Sequence, residues 1–249
     1  MTKASSGPGL IATTLIMLVC LVILIGLGVW QLQRKVWKEN LIAAMTSRLD
    51  APSQPLPLQW RGLTQDADEF RRVAFTATFA PGEEALVYTP GSALRSDIKG
   101  PGYFVFAPAR LADGRIVVVD RGFVPLGRKD NATRAQGEPR GPVNVVGYLR
   151  WPESRGLFTP ADDVKGSVWY LRDQAAMAIA RHWGDVAPFY VDQEEPMPPG
   201  GLPAPGRIVV KLPDNHLQYA ITWFLMAAAL LIIYGTYVRS LYRPSPPLE

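Results

Sequence analysis

The 249-residue sequence contains one cysteine and two histidines. A single cysteine excludes an internal disulfide framework and any CxxC or CxxCH motif, which zinc ribbons, thiol-based copper carriers and covalent haem attachment require. Two histidines are too few for a histidine-rich metal site. The motifs of serine hydrolases, zinc proteases, P-loop proteins and dinucleotide-binding enzymes are also missing. These absences predict that the protein is not an enzyme.

The central part of the chain lacks an excess of either charge. Residues 40–213 contain 20 lysines and arginines against 19 aspartates and glutamates, although the whole chain has a net charge of +4. A nucleic-acid-binding domain would need a basic patch of its own, so we expect no nucleic-acid partner. The excess cations lie beside the apolar runs, at Arg34, Lys35, Lys38, Arg239 and Arg243.

Two apolar runs, Leu10–Trp30 and Tyr219–Val238, are each about 20 residues long, which is enough to cross a lipid bilayer as a helix. The first run is too long for a signal peptide and lacks a cleavage site, so it predicts an uncleaved anchor in a bacterial membrane. The expected organisation is a tail (1–9), a transmembrane helix (10–30) that continues as a helix to about residue 49, an extramembrane domain (50–213), a second transmembrane helix (216–238) and a tail (239–249).

The segment between the two apolar runs has a sequence pattern that is typical mainly of β-strands. Apolar and polar residues alternate over Val73–Phe79, and Asp113-Gly114 is a hairpin signal. Asp173 and Gly184 are placed to begin and end one helix, Gln174–Trp183. Further strands are expected at Ala85–Thr89, Tyr103–Ala109, Arg115–Val124, Val143–Trp151, Val168–Leu171, Phe189–Asp192 and Arg207–Leu212, with a loop at Glu194–Gly206. The predicted fold is therefore a membrane protein in which two transmembrane α-helices flank a mostly antiparallel β (α+β) domain, closed as a barrel or as a sandwich.

His216 stands where the β segment turns into the second apolar helix. Asp214 or Asn215 is a plausible N-cap, which places His216 in the first helical turn at the membrane edge. Ionisable residues at such positions are rare and often functional. Two interpretations remain open from the sequence: a ligand-binding histidine, and an interfacial histidine that hydrogen-bonds to a backbone carbonyl.

Three motifs resemble one known family. GVWQLQRKVWK at Gly28–Lys38 is similar to its first motif, and Gly102-Tyr103 followed by DRGFVP at Asp120–Pro125 is similar to its central one, with Phe123 where tryptophan is more usual. PDNHLQYAITWF at Pro213–Phe224 closely resembles the last motif. The family is the Surfeit locus protein 1 family, whose yeast members are called Shy proteins. The motifs span the chain from end to end.

The resemblance implies a two-helix membrane protein that assists assembly of haem–copper (aa3-type) cytochrome c oxidase. It implies haem a as cofactor, and the oxidase core subunit and the machinery of haem a synthesis as partners beside membrane lipid. The family's membrane histidine maps onto His216, which would be an axial ligand of the haem iron. The alternative is a scaffold without cofactor that stabilises an oxidase assembly intermediate.

The antiparallel helices then suggest what surrounds such a haem. Trp30, Tyr219 and Trp223 could form aromatic walls, and Arg34 and Lys211, with Lys35, could meet the propionates. Small residues at Gly26 and Ala220 would leave room for the macrocycle between the helices. No second protein ligand is evident, because Cys20 lies about 15 Å deeper than Trp30.

The sequence gives conflicting signals on topology. Two spans put both termini on one side of the membrane, and the counts of flanking cations alone place the domain in the cytoplasm. That rule is weak for a translocated domain of this length. The family resemblance implies the inner membrane of a bacterial cell, with cytoplasmic termini and a periplasmic domain.

Overall fold

The computed structural model describes residues 8–92, 94–210 and 214–243. The described residues form two compact units, one of residues 8–43 with 214–243 and one of residues 44–210. In chain order the helices and strands are α1 (Pro8–Leu49), β1 (Gln54–Pro55), α2 (Gln65–Asp68), β2 (Arg72–Phe79), β3 (Ala85–Thr89), β4 (Gly102–Arg110), β5 (Ile116–Pro125), β6 (Pro142–Arg150), β7 (Val168–Trp169), α3 (Gln174–Arg181), β8 (Val186–Glu195) and α4 (His216–Leu241).

Helices α1 and α4 are both long and apolar enough to cross a membrane. Pro8 occupies the first position of α1, where a proline costs no hydrogen bond, and no other proline occurs before Pro52. Helix α4 ends at Leu241, three residues beyond the predicted span. The predicted fold class, two apolar helices flanking a β-rich domain, is confirmed.

Five strands close into a barrel. They pair in the order β2, β6, β8, β5 and β4, and β4 pairs back onto β2 through Thr78 with Arg110 and Phe79 with Ala109. One face of each strand supplies a buried apolar cluster that includes Val73, Val119 and Phe189, which fills the barrel. Of the two closures left open by the sequence, the protein adopts the barrel, which removes the exposed edges that an open sheet would leave.

Helix α3 covers the outer face of the barrel. Its N-cap is Asp173, as predicted, and the side chain accepts a 3.0 Å hydrogen bond from the Ala176 amide. The predicted end at Gly184 is wrong, because the helix stops at Arg181 and His182 adopts the left-handed conformation that terminates it (φ 57°). Buried Met177 packs with apolar residues of β3, β4 and β5.

The predicted strand Arg207–Leu212 is wrong over its described residues 207–210, which join no sheet. Ile208 is buried against Phe70 and Tyr148, and the Val209 amide donates to the carbonyl of Leu94 over 2.8 Å. The apolar alternation here reflects a segment that covers the barrel rather than a strand within it. The predicted loop Glu194–Gly206 begins two residues later than expected, because β8 continues to Glu195.

Candidate functional site

The two apolar helices pack along a heptad seam. The less exposed residues recur at alternating spacings of four and three, which is the pattern of left-handed helix pairs. On α1 they include Thr14, Met17, Leu21, Leu24, Gly28, Gln31 and Lys35, and on α4 they include His216, Ala220, Trp223, Ala227, Leu230 and Tyr234. A 2.5 Å hydrogen bond between the Thr14 and Tyr234 hydroxyls joins the helices far from His216.

Gly28 on α1 faces the Phe224 ring on α4. A Cβ atom at this position would lie 2.6 Å from that ring, so a larger residue would require the ring to shift. Gly26 has no described atom within 4 Å of its Cβ direction, whereas Ala220 is buried, so these two small residues do not face each other. The glycine of α1 that faces α4 is Gly28.

His216 is the first residue of α4, and its position is fixed at two points. Its amide donates to the Asp214 carboxylate over 3.0 Å, while Asn215 stands at the N-cap position without a side-chain hydrogen bond. In the ring, Nδ1 lies 2.7 Å from Oε1 of Gln31 on α1. The partner of the ring is thus a side-chain amide, rather than the backbone carbonyl considered from the sequence. Gln31 belongs to the first motif, yet no feature of the sequence singled it out.

The other predicted site residues are spread more widely. Trp30 and Tyr219 are more than half exposed, and Trp223 is half-buried in the seam. The Arg34 guanidinium stacks on the Trp37 ring, with 3.8 Å between its Cζ and the ring centroid. Lys211 lies outside the described residues. An exposed stripe therefore runs along α1. It consists of Trp30, Arg34 and Trp37, which are four and three residues apart.

The His216 environment suits a metal-bound imidazole. A ring nitrogen held by an oxygen acceptor leaves the other nitrogen as the ligand, which is the usual arrangement of metal-binding histidines. A haem iron could bind there, since imidazole is a common haem ligand. Within the seam, the Phe224 ring occupies the space beside Gly28. The exposed aromatic residues Trp30 and Tyr219 offer apolar surface outside it.

A second polar arrangement, not foreseen from the sequence, lies on the outer face of the barrel. Asp120 and Asp192 are register neighbours on the parallel strands β5 and β8, and both are buried. The Gly122 amide donates to Oδ1 of Asp120 over 3.0 Å, while Oδ2 is buried and has no hydrogen-bond partner among the described residues. Side chains in register on adjacent strands are close neighbours, so two carboxyl groups share one buried place.

Burial and the neighbouring Asp192 carboxyl together raise the pKa of Asp120 to about 7. The charge of Arg172, the Gly122 amide and the charge of Arg95 act in the opposite direction. Burial also raises the pKa of Asp192, against the charges of Arg172, Arg150 and Arg95. The pair therefore holds a proton at pH values where exposed aspartates are ionised.

The Arg121-Gly122 step of the central motif has a structural role. Arg121 is buried, donates to the Gly137 carbonyl over 2.6 Å and forms a 3.7 Å ion pair with Glu138. Gly122 has φ 116°, and a Cβ there would lie 2.2 Å from the Ala204 carbonyl oxygen. The glycine thus allows the segment at Ala204 to pair with Phe123.

Comparison with known proteins agrees with the motifs. A model of the SURF1 family matches residues 18–228. A SURF1-like protein of Monosiga brevicollis is 36% identical over 225 residues, covering 86% of this chain and 82% of the relative. Surfeit locus protein 1 of Rattus norvegicus is 35% identical, covering 86% and 72%, and that of Homo sapiens is 34% identical, covering 82% and 70%.

Proposed function

Because the chain belongs to the SURF1 family, we propose that it is an assembly factor for aa3-type cytochrome c oxidase. In this proposal the protein binds haem a through His216 and assists its insertion into the core subunit. The source of the cofactor is the machinery of haem a synthesis. The protein carries and transfers the haem without catalysing a reaction.

The observation that best supports this proposal is the Nδ1 contact of His216 with Gln31, which leaves Nε2 as the nitrogen for iron. When bound, haem a would supply the iron atom to which the imidazole of His216 binds. Trp30 and Tyr219 offer exposed aromatic surface to an apolar macrocycle, and Trp223 is half-buried in the same seam as His216. Arg34 supplies positive charge for the propionates, whereas Lys211, the other cation expected there, lies outside the described residues.

Loss of the protein should lower the amount of assembled aa3-type oxidase and leave bd-type and other haem-b-only oxidases unchanged. The reason is that only enzymes with haem a need its insertion. Difference spectra of membranes from a deletion strain and from the complemented strain measure both classes. An equal fall in every terminal oxidase would instead indicate a general role in membrane biogenesis.

The proposal also places the protein in the bacterial inner membrane, with cytoplasmic termini and a periplasmic domain. The turn Gly156–Thr159 is suited to testing this, because Leu157 and Phe158 are 93% and 92% exposed. In a Cys20→Ala background, Phe158→Cys should react with a membrane-impermeant maleimide in intact spheroplasts. Tyr242→Cys, on the terminal side, should react only after lysis. The reverse pattern of labelling would place the domain in the cytoplasm.

A cofactor-free scaffold is the second candidate function, and two observations favour it. The Phe224 ring fills the space beside Gly28 in the seam, and the turn with Leu157 and Phe158 presents apolar side chains to solvent. The turn is ordered by hydrogen bonds from the Gly156 amide to Thr159 Oγ1 (2.9 Å) and from Arg155 to the Pro160 carbonyl (2.6 Å). Such patches often contact proteins. A scaffold would lose oxidase assembly on Phe158→Ser and retain it on His216→Ala.

A further inference from the structure

The contact between His216 and Gln31 has a defined direction. An amide oxygen only accepts hydrogen bonds, and Oε1 of Gln31 lies 2.7 Å from Nδ1 of His216. A neutral imidazole carries one proton, on either Nδ1 or Nε2. With Oε1 facing the ring, the hydrogen bond requires the proton on Nδ1, which donates to Gln31 and leaves Nε2 with a free lone pair. This is the tautomer that a metal binds through Nε2.

The surrounding packing holds the two side chains at this distance. About one turn from Gln31 on α1, Gly28 leaves room for the Phe224 ring of α4. At the other side, the Asp214 carboxylate accepts from the His216 amide and fixes the start of α4. Both partners lie in the seam and are partly buried, where water competes less for the hydrogen bond.

We propose that Gln31 is a positioning residue that locks His216 in the Nδ1–H tautomer and so leaves Nε2 available to bind the haem iron. The part that concerns iron rests on the proposed haem function, whereas the tautomer is a property of the protein alone. Gln31 acts through His216 and need not touch the cofactor. Its effect is therefore predicted to be visible with and without haem.

The chain offers a direct test of the tautomer because it has only two histidines. The full-length protein, produced without haem a and labelled with ¹⁵N-histidine, is placed in lipid nanodiscs at about pH 8 and its ring nitrogens are recorded by NMR. His216→Ala assigns the signals, and His182 serves as the internal reference. We expect Nδ1–H for His216 in the wild type and a mixture of both tautomers in Gln31→Leu. The variant Gln33→Leu, on the exposed face of α1, should retain the wild-type signal.

A wild-type Nε2–H signal, which a reversed Gln31 amide would produce, overturns the proposal. An unchanged signal in Gln31→Leu overturns it as well. Both results are independent of haem, so they are distinct from a failure of the proposed function.

The second measurement is made on protein loaded with haem a. Removing an outer partner of a metal ligand weakens metal binding by about 10–100-fold, so Gln31→Leu should lower haem a affinity by this factor. Gln31→Glu keeps an acceptor and makes it anionic, so it should retain haem and lower the midpoint potential. Equal affinity and potential in wild type, Gln31→Leu and Gln31→Glu would contradict a positioning role. If the wild type binds no haem a, the haem proposal fails while the NMR result still decides the tautomer.

Discussion

His216→Ala is expected to abolish stable haem a binding while the protein remains in the membrane at the normal level. His216 is the residue whose ring is held with one nitrogen directed to Gln31 and the other left for iron. Loss of an outer partner alone costs about 10–100-fold in metal affinity, so loss of the ligand itself should cost more. The haem content and visible spectrum of the purified variant measure the effect.

His182→Asn is a matched control for this variant. It removes the only other histidine, and asparagine tolerates the left-handed conformation that His182 adopts at the end of α3. The control should retain the haem spectrum of the wild type. Added imidazole should partly restore binding to His216→Ala, which would separate loss of a ligand from misfolding. A His216→Ala protein with an unchanged haem a spectrum would show that another group binds the iron.

The second large effect is expected from Asp120→Asn, in the way stability depends on pH. The folded pKa of Asp120 is about 7, above the ordinary aspartate value, so the folded state binds more protons than the unfolded state at intermediate pH. Stability should therefore fall as pH rises from about 4 to about 7, by up to about 1.4 kcal/mol per pH unit for one proton. The contribution is complete below the unfolded pKa and is lost as pH passes the folded pKa.

Asparagine imitates the protonated carboxyl, since it still accepts from Gly122 and its amide can donate toward Asp192. Asp120→Asn should flatten the fall in stability and be at least as stable as the wild type at pH 8. Denaturation of the full chain in detergent, followed by tryptophan fluorescence, measures this at several pH values. Asp185→Asn, at an exposed position, should leave the profile unchanged. Parallel profiles for wild type and Asp120→Asn would show that the pair does not hold a proton.

Local patterns predicted the elements well but not how they close. Strand β3 matches its predicted bounds, Ala85–Thr89, because a short apolar run between turn residues has few other solutions. The return of β4 onto β2 depends on pairing between distant strands, for which the sequence carries no local signal. Residues 207–210 have a strand-like pattern but instead cover the barrel, since a covering segment also needs one apolar side.

The candidate sites show the same division. The position of His216 at the membrane edge and in the last motif identified it as a candidate. Gln31 lies 185 residues away and becomes its partner only through the register of α1 against α4. The seam that sets this register is hidden in the sequence, because a lipid-facing helix is apolar on every side. Asp120 was noted only as the first residue of the central motif, because its pairing with Asp192 follows from the register of parallel strands, which neither segment reveals alone.

The visible spectrum of the full-length wild-type protein, purified from cells that make haem a, tests the central claim most directly. Protein quantification and extracted-haem analysis of the same sample give the stoichiometry, and complementation of the deletion strain shows that the sample is functional. The account predicts about one haem a per chain with the spectrum of an imidazole-ligated iron. A protein that restores aa3-type oxidase but carries no haem a would contradict it.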